Sequence, residues 1–119
     1  MDESSAALRE KHCTPDDQNT LSLLPEQIEL LLGNVDDWTL SPDAKRIRKE
    51  WQTEDFDAAV EFINDVGKIA DGEDHHPDLH LVDFRNLAIE LFTHSADGLT
   101  ENDFIVASKI DELPIRLKE

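Results

Sequence analysis

TEDFDAAVEFINDVGKIADGEDHHPDLHLVDF, residues 53–84, is the stretch whose reading decides the fold. It opens as a helix. Phe56, Ala59, Val60, Ile63, Val66 and Ala70 recur at helical spacing and predict one apolar stripe. Thr53 is the expected N-cap, and Glu54 and Asp55 fall where the helix dipole favours acids. Gly72 is placed to close the helix. Pro77 then disfavours helical backbone at His76, and DLHLVDF, residues 78–84, reads as a strand.

Working outward, the pattern repeats on both sides. LLPEQIELLLGN, residues 23–34, predicts a helix. Pro25 suits its first turn, Leu24, Ile28, Leu31 and Leu32 line one face, and Gly33-Asn34 can end it. Trp38 and Leu40 share one side of a short strand, with Ser41-Pro42-Asp43 as the turn. In AKRIRKEWQT, residues 44–53, Ile47 and Trp51 point one way while Arg46, Arg48 and Glu50 point the other, as in a half-solvated antiparallel strand. NLAIELFTH, residues 86–94, alternates similarly. Thr100 to Asp103 resembles a capping box before a last helix whose buried stripe is Phe104, Ala107 and Ile110, and Pro114 stops it. The order helix, two strands, helix, two strands, helix predicts an α+β domain: a four-stranded antiparallel sheet with three helices packed on one face.

The length of 119 residues fits one domain. Residues 1–20 read as a flexible acidic arm and residues 21–119 as the folded domain. The formal charge of −17 repels nucleic-acid phosphates and anionic lipids, and its spread along the chain fits a salt-rich habitat. No apolar run reaches the ~20 residues of a membrane span. The first residues lack the basic region and apolar stretch of a secretory signal. Cys13 is the only cysteine, so no internal disulfide forms, and a reducing cytoplasmic setting is expected.

Four of the five histidines, His75, His76, His80 and His94, fall within residues 75–94. A metal site is disfavoured. His76 and His80 stand four apart, and on a strand that is ~13 Å, too far for one ion. General acid/base work suits them better, because histidine titrates near pH ~6.5. His75-His76-Pro77 sits at a helix–strand junction, and His94 at a neighbouring strand end is placed to return to the same cleft. Asp71 lies four residues before His75, near enough to accept from an imidazole and fix its tautomer. The plain alternative is a set of surface histidines among acids, and that is the reading for His12 and His80.

Asp71, His75-His76-Pro77, Phe84, His94 and Asp103 are spaced as D-x3-H-H-P-x6-F-x9-H-x8-D. This resembles the signature of the pterin-4a-carbinolamine dehydratases. The resemblance extends over about residues 21–113, through the opening helix with Trp38, the strand-to-helix passage from Trp51, and the closing helix GLTENDFIVASKID. Phe84 stands where the pattern usually has Tyr or Trp, and packing is its plain role.

The resemblance implies dehydration of 4a-hydroxytetrahydropterin to quinonoid dihydropterin, in tetrahydrobiopterin recycling, with no cofactor and no metal. It implies His75 and His94 as the acid/base pair and His76 as the residue that holds the pterin and stabilises developing charge. Asp74, Thr93 and Ser95 flank these histidines and are expected to bind the pterin edge. Asp71 is read either as the partner that orients His75 or as a solvated acid. Asp103 is expected to cap the last helix, with support to His94 as its other reading. Partners implied are the pterin substrate and further copies in a homodimer or homotetramer. A non-catalytic dimerisation cofactor or assembly factor on the same fold is the alternative.

Overall fold

The computed structural model describes residues 3–15, 17 and 19–119, with backbone alone for residues 3–6. Its elements are α1 (Glu3–Glu10), α2 (Pro25–Leu32), β1 (Thr39–Leu40), β2 (Ile47–Gln52), α3 (Phe56–Glu73), β3 (Asp78–Val82), β4 (Asn86–Leu91) and α4 (Glu101–Asp111), with a 3-10 turn at His94–Ala96. The sheet order is β1-β2-β4-β3, antiparallel throughout. This is the α+β architecture the sequence predicts.

Register follows from the alternation. Ile47 pairs with Leu91, Lys49 with Ile89 and Trp51 with Leu87. Ile47, Leu87, Ile89 and Leu91 are at most 1% exposed and form one floor of the core. Phe62 and Val66 of α3 and Phe104, Val106 and Ile110 of α4 cover that floor. Burying a side chain of this size is worth about 1.5–3 kcal/mol, so this layer carries most of the stabilisation. The opposite face holds Arg48, Glu50 and Glu90, tied as ion pairs.

Four local expectations are corrected. The N-cap of α3 is Asp55, whose carboxylate accepts from the Ala58 N–H at 2.8 Å; Thr53 is buried and donates its hydroxyl to the Asp55 carbonyl. The α3 stripe is Ala58, Ala59, Phe62, Val66 and Ala70, and Phe56 is 54% exposed. Its apolar arc is wider than the sheet beneath it. Phe62 meets the Trp51 ring at 5.2 Å, and that contact selects which part of the arc is buried. The helix runs past Gly72 to Glu73, with Asp74 in the left-handed region (φ 52°) as its cap. Phe84 is not packed. It sits in the β3–β4 turn at φ 56°, exposed, with the Arg85 guanidinium over its ring.

The stretch expected to be a loose arm carries α1 instead. Leu8 is 3% exposed in the main core, and Lys109 of α4 donates to the Arg9 carbonyl at 2.7 Å. Residues 1, 2, 16 and 18 of that arm lie outside the described residues.

Candidate active site

The site forms where α3 ends. Asp74 turns the chain left-handed, its N–H donating to the Ala70 carbonyl, and the His75 N–H donates to the same oxygen at 3.1 Å. This sharp turn sends His75 inward and leaves His76 outside. Pro77 then starts the chain into β3. The second wall comes from the far end of β4. Thr93 and Gly98 bridge each other, closing the turn that carries His94 and Ser95. A Cβ at position 98 would meet the Ser22 side chain at 3.0 Å, so a larger residue there would need that side chain to give way.

His75 is 8% exposed, and its Nε2 lies 2.7 Å from Asp103 Oδ1. A carboxylate only accepts, so this nitrogen carries the proton and donates. Asp103 is fully buried. Its other oxygen accepts from the Thr93 hydroxyl at 2.7 Å and from the Thr100 N–H at 2.9 Å. Thr93 and Thr100 hydroxyls also meet at 2.9 Å. Asp103 therefore does cap α4, as expected, and through the same carboxylate it fixes the tautomer and orientation of His75. The expected support to His94 is replaced by this bond.

Asp71 is likewise re-paired. Its Oδ1 meets His76 Nε2 at 3.0 Å on the surface, rather than orienting His75. The residues are five apart on the chain, close enough once the left-handed turn has folded His76 back along the helix end. His76 and His94 face a shared cleft, with Asp78, Glu90 and Phe92 as its other walls. The His94 ring stands edge-on to Phe92 at 4.7 Å.

Of the residues expected to bind the pterin edge, Asp74 and Ser95 are exposed. Thr93 is 1% exposed and its side chain is committed to Asp103 and Thr100. His12 pairs with Glu73 at 2.8 Å and His80 approaches Glu90 at 3.9 Å. Among the described residues no cluster of three or more His, Cys, Asp or Glu is arranged to hold a metal, and no helix is long and apolar enough to cross a membrane.

Two features escaped sequence reasoning. The His75–Asp103 bond joins residues 28 apart, and only the motif spacing marks both. Phe92 reads as an ordinary strand residue, and its ring contact with His94 leaves no sequence signal.

Comparison with known proteins agrees with the geometry. The family model described as pterin 4 alpha carbinolamine dehydratase matches residues 22–113. A mitochondrial pterin-4-alpha-carbinolamine dehydratase 2 of Arabidopsis thaliana is 42% identical over 115 residues, covering 94% of this chain and 62% of its own length. A Halorhodospira halophila relative named for the same dehydratase is 36% identical, covering 90% of this chain and 97% of its own. A crystal structure titled transcriptional coactivator/pterin dehydratase, from Brucella melitensis, superposes with a TM-score of 0.70 at 27% identity, over 75% of this chain and 94% of the other. With the family match spanning residues 22–113, the chain belongs to the pterin-4-alpha-carbinolamine dehydratase family, and so among the dehydratases.

Proposed function

We propose that this protein dehydrates 4a-hydroxytetrahydropterin to quinonoid dihydropterin by histidine acid/base catalysis, as a step of tetrahydrobiopterin recycling. The observation that carries the reading is the buried His75–Asp103 couple, adjacent in the chain to His76, which shares a cleft with His94. The reaction breaks the C4a–oxygen bond and removes a proton from a ring nitrogen. Water leaves once an acid protonates the hydroxyl. His75 and His94 are the acid/base pair. Asp103 holds His75 in one tautomer and one orientation for proton exchange. His76, steadied by Asp71, binds the pterin and balances developing charge, and Asp74 and Ser95 offer polar groups. Positioned proton transfer of this kind is worth ~10²–10⁴-fold. The reaction as written balances without a cofactor or metal.

The reading includes a homodimer or homotetramer, since the edge strand β3 offers unpaired backbone groups. It also includes a cytoplasmic location. The Arabidopsis relatives are named mitochondrial and chloroplastic. A second reading, a non-catalytic partner-binding role, is favoured by the coactivator wording of the Brucella structure's title.

The test follows the decay of 4a-hydroxytetrahydropterin, generated in situ by a hydroxylase, by its ultraviolet absorbance. Faster decay with wild type, lost in folded His75→Ala and His94→Ala, supports catalysis by the pair. No effect of folded wild type refutes the dehydratase reading and favours the second one.

A further inference from the structure

The segment before residue 22 lies outside the family match, yet it grips the two helix ends that supply the buried couple. Glu73 is the last residue of α3, two before His75. Its Oε1 accepts the Cys13 N–H at 2.7 Å, its Oε2 meets His12 Nδ1 at 2.8 Å, and Lys109 Nζ of α4 stands 3.7 Å away. Asn102 is the residue before Asp103. Its side-chain oxygen accepts the Thr14 N–H at 3.1 Å and its amide donates to the Thr14 carbonyl at 2.8 Å. Both side chains are nearly closed to solvent, Asn102 at 5% and Glu73 at 8%.

We infer that Glu73 and Asn102 are positioning residues: through them, residues 8–14 act as a strap that holds the α3 and α4 termini at the separation the His75–Asp103 bond requires. The inference rests on the dehydratase reading for its catalytic consequence, not for its structural one. α3 and α4 end here without a covalent link near the site. A buried carboxylate such as Glu73 is costly unless it is fully engaged, and here every partner but Lys109 comes from the strap. The Asn102–Thr14 pair is two-point, so it fixes direction as well as distance. Leu8 anchors one end of the strap in the core, and the stretch from His12 to Thr14 stands over an open cleft beside Gly72 and Asp74. Cys13 packs against the core, and the polar contacts with Glu73 and Asn102 fix the direction of the stretch.

The test uses the full chain: wild type, Asn102→Ala, Glu73→Ala, and Lys11→Ala as a control, since its ammonium makes a solvent-exposed ion pair with Glu101 that contributes little. Two quantities are read: hydrogen exchange of the His75 Nε2–H by nitrogen-15 NMR, and kcat and KM for dehydration. The strap predicts faster exchange of that proton in both variants. It predicts a kcat lower by on the order of 10-fold to 100-fold at a KM within about 2-fold, since neither residue touches substrate. Lys11→Ala leaves both unchanged. Should Asn102→Ala not fold, Thr14→Pro removes one of the same bonds from the strap's side. Folded variants that lose thermal stability while the His75 proton and kcat stay as in wild type overturn the inference. So does a fall in kcat with an undisturbed proton. If wild type shows no dehydration, the functional reading fails, and the proton's exchange alone decides the strap.

Discussion

Replacing Asp103 separates its two tasks. The carboxylate is fully buried and accepts from His75, Thr93 and Thr100. Asp103→Ala removes all three bonds. A lost helix cap costs about 1 kcal/mol, and breaking a buried pair costs about 3–5 kcal/mol. The groups share one network, so these do not add, and the whole change is about 3–5 kcal/mol. For a domain of this size, at roughly 3–6 °C per kcal/mol, the melting temperature falls by roughly 9–30 °C. Asp103→Asn is the sharper probe. Its amide oxygen can keep the Thr100 cap, but its NH2 then faces a donating His75 nitrogen. The imidazole must move its proton to the other nitrogen or lose the bond. Stability falls by only about 1–3 kcal/mol, while kcat falls by ~10²–10⁴, because the tautomer presented to substrate is wrong. Thermal unfolding by circular dichroism and the decay assay, run on both variants and on Thr100→Ala, decide the matter. Thr100→Ala should cost stability and spare activity. Wild-type kcat in Asp103→Asn, or a melting temperature for Asp103→Ala within a few degrees of wild type, refutes the reasoning.

Asp111 gathers the Trp38 indole N–H, the Lys49 ammonium and the Asp36 N–H, each at 2.9 Å, so Asp111→Ala should destabilise by about 3–5 kcal/mol in urea unfolding. Burial pushes the Glu73 carboxyl up, but the Cys13 N–H, His12 and Lys109 together hold it below its ordinary value of 4.5. A depressed carboxylate stabilises the fold above its unfolded value and loses that contribution as pH falls through the folded one. Wild type should therefore lose more stability than Glu73→Gln when pH is lowered below about 4.5, and equal losses would count against the pairing. The Cys13 thiol, pushed up to about 12 by burial and by the Glu73 carboxylate, should react with a thiol reagent at pH 8 only after unfolding. Among the described residues eight of the cations are already paired, so the −17 surplus repels itself, and the melting temperature should rise with added potassium chloride; a flat response would show that the surplus is not destabilising.

What the sequence determined by itself was whatever is set by neighbours along the chain. Alternation at Ile47 and Trp51 and at Leu87, Ile89 and Leu91 fixed which sheet face is buried, since a strand's period of two leaves no other choice. Pro77 fixed the junction, and Thr100 with Asp103 announced the cap. The motif spacing marked the three histidines. Tertiary structure decided the pairings. Two carboxylates and two adjacent histidines allow either match, and a single left-handed residue, Asp74, sends His75 toward Asp103 and leaves His76 to Asp71. Periodicity on α3 marked an apolar arc wider than the sheet can cover, and contact with Trp51 chose Phe62 over Phe56. The N-terminal segment holds one deeply buried leucine among polar neighbours, a pattern that reads as an arm. Its order comes from partners at positions 73, 102 and 109, which no local window contains. Local patterns carry elements and faces; the geometry of a site is a sum of long-range contacts, and those exist only once the layers have packed.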